Sequence, residues 1–323
     1  MWCWVAWDED THAPPQYLTI STHGRAIACA RNSYSVRSAA PPSQAARSVY
    51  QQLDTRDCQP GSRTVLLVRL SYGLAHGHIR SMAEQTTVHI LAIAAHRDDV
   101  ELTCGGTLIK AAKLSQRTAI LDLTQGEMGT RGSAALRKEE ADRAAEIIGV
   151  SVRETLGLPD AGIENTPATR EALARVIRRL APRVVIAPAL EGRHPDHRIT
   201  AQLVRDACFV AGLAKVAPDT PKHRPHKIVH TLAYRQDFVR PTFVVDISDE
   251  FEQKMQAVRC YASQFDGALQ AGEVYPTGEP LYDVVTHYAA TYGSLIRARY
   301  GEPFFTTEMM RVDDIGSLEV STF

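Results

Sequence analysis

The sequence has no long hydrophobic run and no excess of basic charge. No apolar stretch approaches the roughly 20 residues that a membrane-spanning helix requires. The formal net charge is −1, so the chain lacks the basic footprint that is typical of nucleic-acid-binding proteins. We therefore expect neither a membrane nor a nucleic acid as a partner.

Cysteine is scarce as well. Only three of the six cysteines follow residue 82, namely Cys104, Cys208 and Cys260. An odd number without paired metal-binding spacing predicts buried thiols in a reducing compartment rather than disulfides. No basic start followed by an apolar core marks a signal peptide. These absences predict a cytoplasmic protein.

Residues 1–81 differ in composition from the rest of the chain. All three tryptophans lie there, and no lysine occurs before Lys110. Ser, Ala, Pro and Gln dominate from Ser38 to Ala46, a composition that cannot build a core. We expect residues 1–81 to be either a disordered leader or a mis-called extension ahead of a natural start at Met82. Residues 82–323 are then long enough for one α/β domain.

Strand-like and helix-like segments alternate after Met82. Short β-branched runs predict strands, and segments of helical spacing lie between them. In the second helix, Ser133 is a candidate N-cap and Gly149 a candidate C′ residue. The predicted strands are 88–95, 118–123, 154–158, 184–187, 227–234 and 243–247, and the predicted helices are 105–114, 134–148, 167–180, 199–214 and 250–261. This alternation predicts a Rossmann-like, mostly parallel sheet with helices on both faces.

Two polar clusters follow predicted strands. The first is His96-Arg97-Asp98-Asp99, and the second, Arg193-His194-Pro195-Asp196-His197, is expected on a short loop. Ligands of open α/β sheets bind beyond the carboxyl ends of the strands. Both clusters are therefore expected at the same edge of one sheet.

The two clusters contain the groups that a hydrolytic metal site needs. A catalytic zinc ion usually has three protein ligands and one open position, and His96, Asp99 and His197 could supply that set. A two-histidine, one-carboxylate set also suits Fe(II). Asp98 is then free to act as a general base and His194 to stabilise an oxyanion, while Asp196 could orient an imidazole.

Two other kinds of function compete with this interpretation. A dinucleotide-binding protein is disfavoured, because no Gly-x-Gly-x-x-Gly follows the first strand and the carboxylates there would repel a pyrophosphate. A non-catalytic carbohydrate-binding role would give Asp98 and His194 no reason to flank a metal. Taken singly, each cluster could also be a solvated loop or a helix cap.

The motifs resemble those of the LmbE/PIG-L family of zinc-dependent N-deacetylases. Ala95-His96-Arg97-Asp98-Asp99 is similar to the family's Ala-His-Pro-Asp-Asp, and His194-Pro195-Asp196-His197 matches its second motif. The likeness runs from about Val88 to about Val312. Further matching segments, which resemble the branch acting on N-acetylglucosaminyl malate in bacillithiol biosynthesis, are Val100–Leu108, Leu121–Gly132, Leu156–Asp160 and Tyr261–Phe265.

The resemblance implies the same roles for the motif residues. It implies zinc ligation by His96, Asp99 and His197, with Asp98 as the base and His194 as the oxyanion-stabilising group. The implied partner is a small N-acetylated amino sugar, with an inositol conjugate or a chitooligosaccharide as alternatives to the malate conjugate. Members of the family often self-associate, so the resemblance also allows a homo-oligomer.

Three residues outside the metal motifs are candidate substrate contacts. Arg131, in a Gly-rich loop, and Arg193 could pair with a carboxylate of the malate group. Alternatively, Arg131 pairs with Glu127 to brace the loop and Arg193 is solvated. Glu127, if free, could bind sugar hydroxyls. The sequence departs from the family motif at Arg97, where proline is usual, and this arginine is expected to add positive charge near the metal.

Overall fold

A computed structural model describes residues 87–232, 234, 239–266 and 281–321. The predictions made for residues 1–81 lie outside this part of the chain. Among the residues described, no helix combines the length and apolar character that crossing a membrane requires.

Seven strands and seven helices are described, and their bounds agree closely with the predicted pattern over most of the chain. In chain order they are β1 Ile90–Ala94, α1 Asp99–Lys113, β2 Thr118–Asp122, α2 Ala134–Ile148, β3 Val152–Thr155, α3 Pro167–Leu180, β4 Val184–Ala187, α4 Pro195–Ala211, β5 Lys227–Thr231, β6 Phe243–Asp246, α5 Phe251–Arg259, α6 Ala262–Phe265, α7 Leu281–Leu295 and β7 Gly301–Phe305.

The strands form one sheet in the order β3-β2-β1-β4-β5-β7-β6. Strands β1 to β5 are parallel, with Ile90 opposite Thr118 on one side and Val184 on the other. Strand β7 runs antiparallel to both of its neighbours. The predicted mostly parallel sheet is therefore confirmed, whereas α6, α7 and β7 were not predicted.

Helices cover both faces of the sheet because alternate strand residues point in opposite directions. Leu91 and Ile93 of β1 belong to a buried cluster with α3 and α4. Ala92 and Ala94 belong to a second cluster with α1, α2 and α5. Strand β1 lies in the middle of these layers, so the motif that follows it emerges from a rigid part of the core.

Local sequence signals fix α2 as predicted. The Ser133 hydroxyl accepts a hydrogen bond from the Leu136 amide, and Gly149 adopts the left-handed conformation with φ of 80°. Two other helix starts were predicted too late. Helix α1 begins at Asp99 rather than Gly105, and α4 begins at Pro195 rather than Ile199. The first turns of both helices lie within the two polar motifs. These motifs have no apolar periodicity, so the sequence pattern did not reveal the turns.

Helix α1 is broken at Cys104, whose φ is −146°. The Glu302 carboxylate accepts the amide hydrogens of Gly106 and Thr107, at 2.9 and 2.7 Å. The Lys254 ammonium donates to the Leu102 carbonyl and to Glu302, both at 2.7 Å. A buried ion pair thus replaces the backbone hydrogen bonds that the break removes.

Gly106 allows close packing at the start of the second half of α1. A Cβ atom at this position would lie 2.8 Å from Ile247, the residue that follows β6. Only a residue without a side chain lets α1 approach Ile247 this closely.

Candidate metal centre

Both polar motifs lie at the carboxyl ends of neighbouring strands and enter the helices that follow. His96 comes two residues after β1, and Asp99 is the first residue of α1. His194 is the N-cap of α4, and His197 lies in its first turn. The expectation that His197 sits on a loop is wrong, because Pro195 at the first helical position starts α4 within the motif.

Three side chains from the two motifs converge. His96 Nδ1 lies 3.2 Å from His197 Nε2 and 3.5 Å from Asp99 Oδ2. His197 Nε2 lies 3.2 Å from Asp99 Oδ2. Tetrahedral zinc bonds place neighbouring ligand atoms about 3.3–3.6 Å apart. The donor set and its spacing therefore fit a divalent metal ion.

A second group that could hold a metal contains His96, His194 and Asp196. One atom each of His194 and Asp196 already accepts a backbone amide hydrogen. Asp196 Oδ2 accepts the Ala161 amide at 2.8 Å, and His194 Nδ1 accepts the Asp196 amide at 3.2 Å. The group formed by His96, Asp99 and His197 consequently fits a metal better.

The other nitrogen of His96 faces two buried carboxylates. His96 Nε2 lies 3.2 Å from Asp160 Oδ1 and 3.5 Å from Asp196 Oδ2. Such carboxylates fix the tautomer and the orientation of a ligating imidazole. Sequence reasoning assigned this role to Asp196 alone and missed Asp160. The available signal was its position shortly after β3, at the same sheet edge.

Asp98 has a strained backbone, and its carboxylate is largely buried beside Arg137. Its φ is 118°, a conformation that residues other than glycine rarely adopt and that is often found at functional sites. Its side chain is 14% exposed and lies 3.2 Å from Arg137 Nη2. Burial raises the pKa of Asp98 to about 7, although the Arg137 charge opposes the shift. A carboxylate with this pKa can act as a base near neutral pH.

Asp99 favours the protonated form of both histidines that converge on it. Burial lowers the pKa of His96, but the hydrogen bond and charge of Asp99 outweigh it and raise that pKa to about 9. The pKa of His197 is raised in the same way, against the effect of burial. The pKa of Asp99 is held well below its usual value, because its two histidine partners outweigh the effect of burial.

His194 differs from the other two histidines. Burial and the charges of His96 and His197 lower its pKa, so its ring is neutral near pH 7. Because Nδ1 accepts the Asp196 amide hydrogen, the proton of the neutral ring is on Nε2. The ring centroid lies 4.8 Å from that of His96 and 5.0 Å from that of His197. A neutral N–H donor beside the converging ligands can stabilise an oxyanion.

The bracing pair expected between Arg131 and Glu127 is not observed, and each of the two side chains has other partners. Arg131 Nη1 donates to the Asp266 carbonyl at 3.2 Å. Glu127 accepts the amides of Gln125 and Asp160, at 3.2 and 2.9 Å. Arg193 is exposed.

Arg97 does not act as predicted. The residue is 5% exposed, and its guanidinium donates to the Ala134 carbonyl at 2.8 Å and to Thr155 Oγ1 at 3.2 Å. Thr155 ends β3, which is two strands away from β1. Neighbouring strands are about 4.8 Å apart, so this charge lies away from the converging ligands.

A small pocket of about 40 Å³, partly open to solvent, adjoins Asp99 and His197. Apolar side chains line its walls, among them Val100, Ile186 and Pro188. The ligands thus border a space that can accept a small apolar group.

Comparison with known proteins agrees with this arrangement. The profile of the GlcNAc-PI de-N-acetylase (PIG-L) family matches residues 91–208, which span both motifs. The diacetylchitobiose deacetylase of Thermococcus kodakarensis is 33% identical over 226 residues, which cover 66% of this chain and 80% of that protein. A probable N-acetyl-α-D-glucosaminyl L-malate deacetylase 2 of Bacillus anthracis is 27% identical, over 55% of this chain and 81% of its own.

Relatives are not restricted to deacetylases. The 4-oxalmesaconate hydratase of Pseudomonas putida is 29% identical over 59% of this chain and 80% of its own. Among solved structures, a conserved protein of Thermus thermophilus superposes with a TM-score of 0.63 and 36% identity, covering 70% of this chain and 98% of that one. The extent of these matches, together with the two motifs at neighbouring strand ends, shows that the chain belongs to the PIG-L/LmbE family of deacetylases.

Proposed function

We propose that the chain is a zinc-dependent amidohydrolase that removes the acetyl group from an N-acetylglucosaminyl conjugate. The observation that carries this proposal is the convergence of His96, Asp99 and His197. The neighbouring Asp98 carboxylate is hydrogen-bonded to Arg137 rather than to any of these three side chains. Every residue invoked lies in residues 82–323, which we take to be the deacetylase domain.

The proposed ligands are His96 Nδ1, His197 Nε2 and Asp99 Oδ2. A zinc ion held there would polarise the acetyl carbonyl and lower the pKa of the attacking water. Fe(II) would suit the same donors. The Asp160 and Asp196 carboxylates hold His96 so that its Nδ1 faces the other two ligands.

Asp98 carries the proton through the reaction. It takes a proton from water as the oxygen bonds to the acetyl carbon, and it returns the proton to the glucosamine nitrogen as the C–N bond breaks. The Nε2–H of His194 donates to the carbonyl oxygen as that oxygen becomes negative. Acetate and a free amine result, and Arg137 keeps the Asp98 carboxylate in place throughout.

The malate conjugate of bacillithiol biosynthesis is our first choice of substrate. The guanidinium groups of Arg131 and Arg193 would bind its carboxylates, and Glu127 would accept hydrogen bonds from sugar hydroxyls. The relative from Bacillus anthracis supports this choice.

Diacetylchitobiose is the second candidate, and a specific observation favours it. The relative from Thermococcus kodakarensis is both more similar and matched over more of this chain. Chitobiose has no carboxylate, so Arg131 and Arg193 would then contribute little to binding.

The proposal is tested by measuring the amine that the full-length, zinc-loaded protein releases from candidate substrates. The substrates are N-acetylglucosaminyl malate, the N-acetylglucosaminyl inositol conjugate and diacetylchitobiose, each with and without a chelator. We expect chelator-sensitive amine release, fastest with the malate conjugate. Faster turnover of chitobiose would reassign the substrate and keep the chemistry. No amine release from any of the three by metal-loaded protein would overturn the proposal, and water addition to an unsaturated acid would be assayed next.

A further inference from the structure

Arg97 is buried without a carboxylate within hydrogen-bonding distance in the described part of the chain. Its guanidinium instead donates to two backbone carbonyls and one hydroxyl: Ala134, the more distant Gln125 at 3.5 Å, and Thr155. Burial lowers the pKa of this guanidinium. Placing a charge in such an environment is unfavourable unless its hydrogen bonds are worth keeping.

The two carbonyls mark the ends of one loop. Gln125 lies near the end of β2, and Ala134 is the first residue of α2. The intervening residues include Glu127 and Arg131, the candidate substrate contacts. A single guanidinium therefore connects the beginning and the end of the β2–α2 loop, residues 124–133.

The same loop is tied to the metal centre from its other side. The Met128 amide donates to Asp160 Oδ2 at 2.8 Å, and the other oxygen of Asp160 faces His96. Glu127 accepts the Asp160 amide. The position of the β2–α2 loop thus determines where Glu127 and Arg131 lie relative to His96.

We propose that Arg97 is a positioning residue, which clasps the ends of the β2–α2 loop and thereby holds Glu127 and Arg131 in place for the substrate. The part of this inference that concerns substrate rests on the function proposed above; the part that concerns the loop does not. Since Arg97 lies beyond hydrogen-bonding reach of the reacting groups, its loss acts on substrate binding more than on turnover.

The variant that tests the clasp is Arg97→Met, which removes the guanidinium and keeps an unbranched, apolar side chain. Hydrogen exchange of the 124–133 amides is expected to become about tenfold faster, because hydrogen bonds from a charged group are lost. The KM for the acetylated substrate that the protein turns over is expected to rise by about tenfold for the same reason, while kcat changes less than about threefold.

Arg178→Met is the matched control. Arg178 is 2% exposed and also donates to backbone carbonyls, those of Ala211 and Leu213 at 2.9 and 2.7 Å. Arg178 belongs to α3 and its guanidinium contacts the carboxyl end of α4, away from the β2–α2 loop, so its loss is expected to leave exchange in residues 124–133 and the KM unchanged. Arg97→Lys can reach one carbonyl but not both ends of the loop, so we expect an intermediate exchange rate; this variant also serves if Arg97→Met does not fold.

Equal exchange of residues 124–133 in the Arg97 variants and in Arg178→Met would overturn the inference. A parallel fall of kcat and metal content at constant KM would overturn it too, since Arg97 would then act on the metal centre. If the wild-type protein deacetylates none of the substrates, the proposed function fails, but the exchange measurement still decides whether Arg97 clasps the loop.

Discussion

Two regions of this protein bury charged side chains, and they do so in opposite ways. At the break in α1, Glu302 accepts hydrogen bonds from Lys254, from two amides and from the Thr107 hydroxyl. Both members of this pair are 2% exposed or less. At the candidate metal centre, the possible ligand atoms of His96, Asp99 and His197 face one another beside an open pocket.

The difference separates a structural cluster from a functional one. The Lys254–Glu302 pair has protein partners for its charged groups and completes a helix. The candidate metal centre has a residue with positive φ, and burial raises the pKa of its Asp98 carboxyl, both of which are unfavourable for folding alone. Buried charge that the fold does not need points to chemistry.

The largest expected effect is on stability, from Lys254→Met. Removing one partner of a buried pair leaves an uncompensated carboxylate and lowers the free energy of unfolding by about 3–5 kcal/mol. Denaturant unfolding measures this. Lys138→Met, which breaks an exposed pair with Asp142, is the control and is expected to change it by less than about 0.5 kcal/mol. Similar values for the two variants would remove the contrast between the regions.

Asp98→Asn is expected to lower kcat by a factor of about 10² or more, because the base is lost. Stability is expected to move the other way. A raised carboxyl pKa means that the ionised form is less favourable in the folded protein than in the unfolded chain, so this charge destabilises the fold above the unfolded pKa. The free energy of unfolding at pH 8, measured with chelator present, should therefore not fall. A clear fall in the free energy of unfolding of this variant would mean that the Asp98 carboxylate stabilises the fold.

His194→Ala is expected to lower kcat by about 10- to 100-fold, because one oxyanion donor is lost. The neutral ring is not among the proposed ligands, so the metal content should remain that of the wild type. Loss of metal in this variant would instead place His194 in the second ligand group, with His96 and Asp196.

The smallest expected effect is a shift of the pH profile. Asp98 acts only when ionised, so kcat/KM is expected to fall as the pH drops through the Asp98 pKa, which is about 7 without metal and lower beside a bound cation. The Arg137 charge lowers this pKa, so Arg137→Met should move the acid limb to higher pH. An unmoved limb in the pH profile of this variant would mean that another group titrates.

The sequence predicted the fold where local signals are strong. Ser133 and Gly149 bound α2 as expected, and the apolar runs located β1, β2 and β4. Strand β7 was missed because its sequence, Gly-Glu-Pro-Phe-Phe, contains glycine and proline and carries the buried Glu302. Its pairing depends on contacts between distant segments, which local propensity does not encode.

The candidate site was predicted unevenly for the same reason. Motif spacing identified His96, Asp98, Asp99, His194 and His197 as candidates, and the structure brings His96, Asp99, His194 and His197 together. Asp160 and Arg137 belong to other segments and become partners only through the sheet order. The direction in which the Arg97 side chain points could not be read from its neighbours in sequence, because its hydrogen-bond acceptors lie at the start of α2 and the end of β3, which are distant from it in the chain.

The most direct test of the central claim is the zinc content per chain, by mass spectrometry, of Asp99→Asn beside Asp98→Asn. The two variants make the same chemical change at adjacent residues of one motif. We expect Asp98→Asn to hold one zinc ion per chain and Asp99→Asn to hold little. Equal zinc content in the two variants, whether full or lost, would contradict the division of this motif into a ligand and a base.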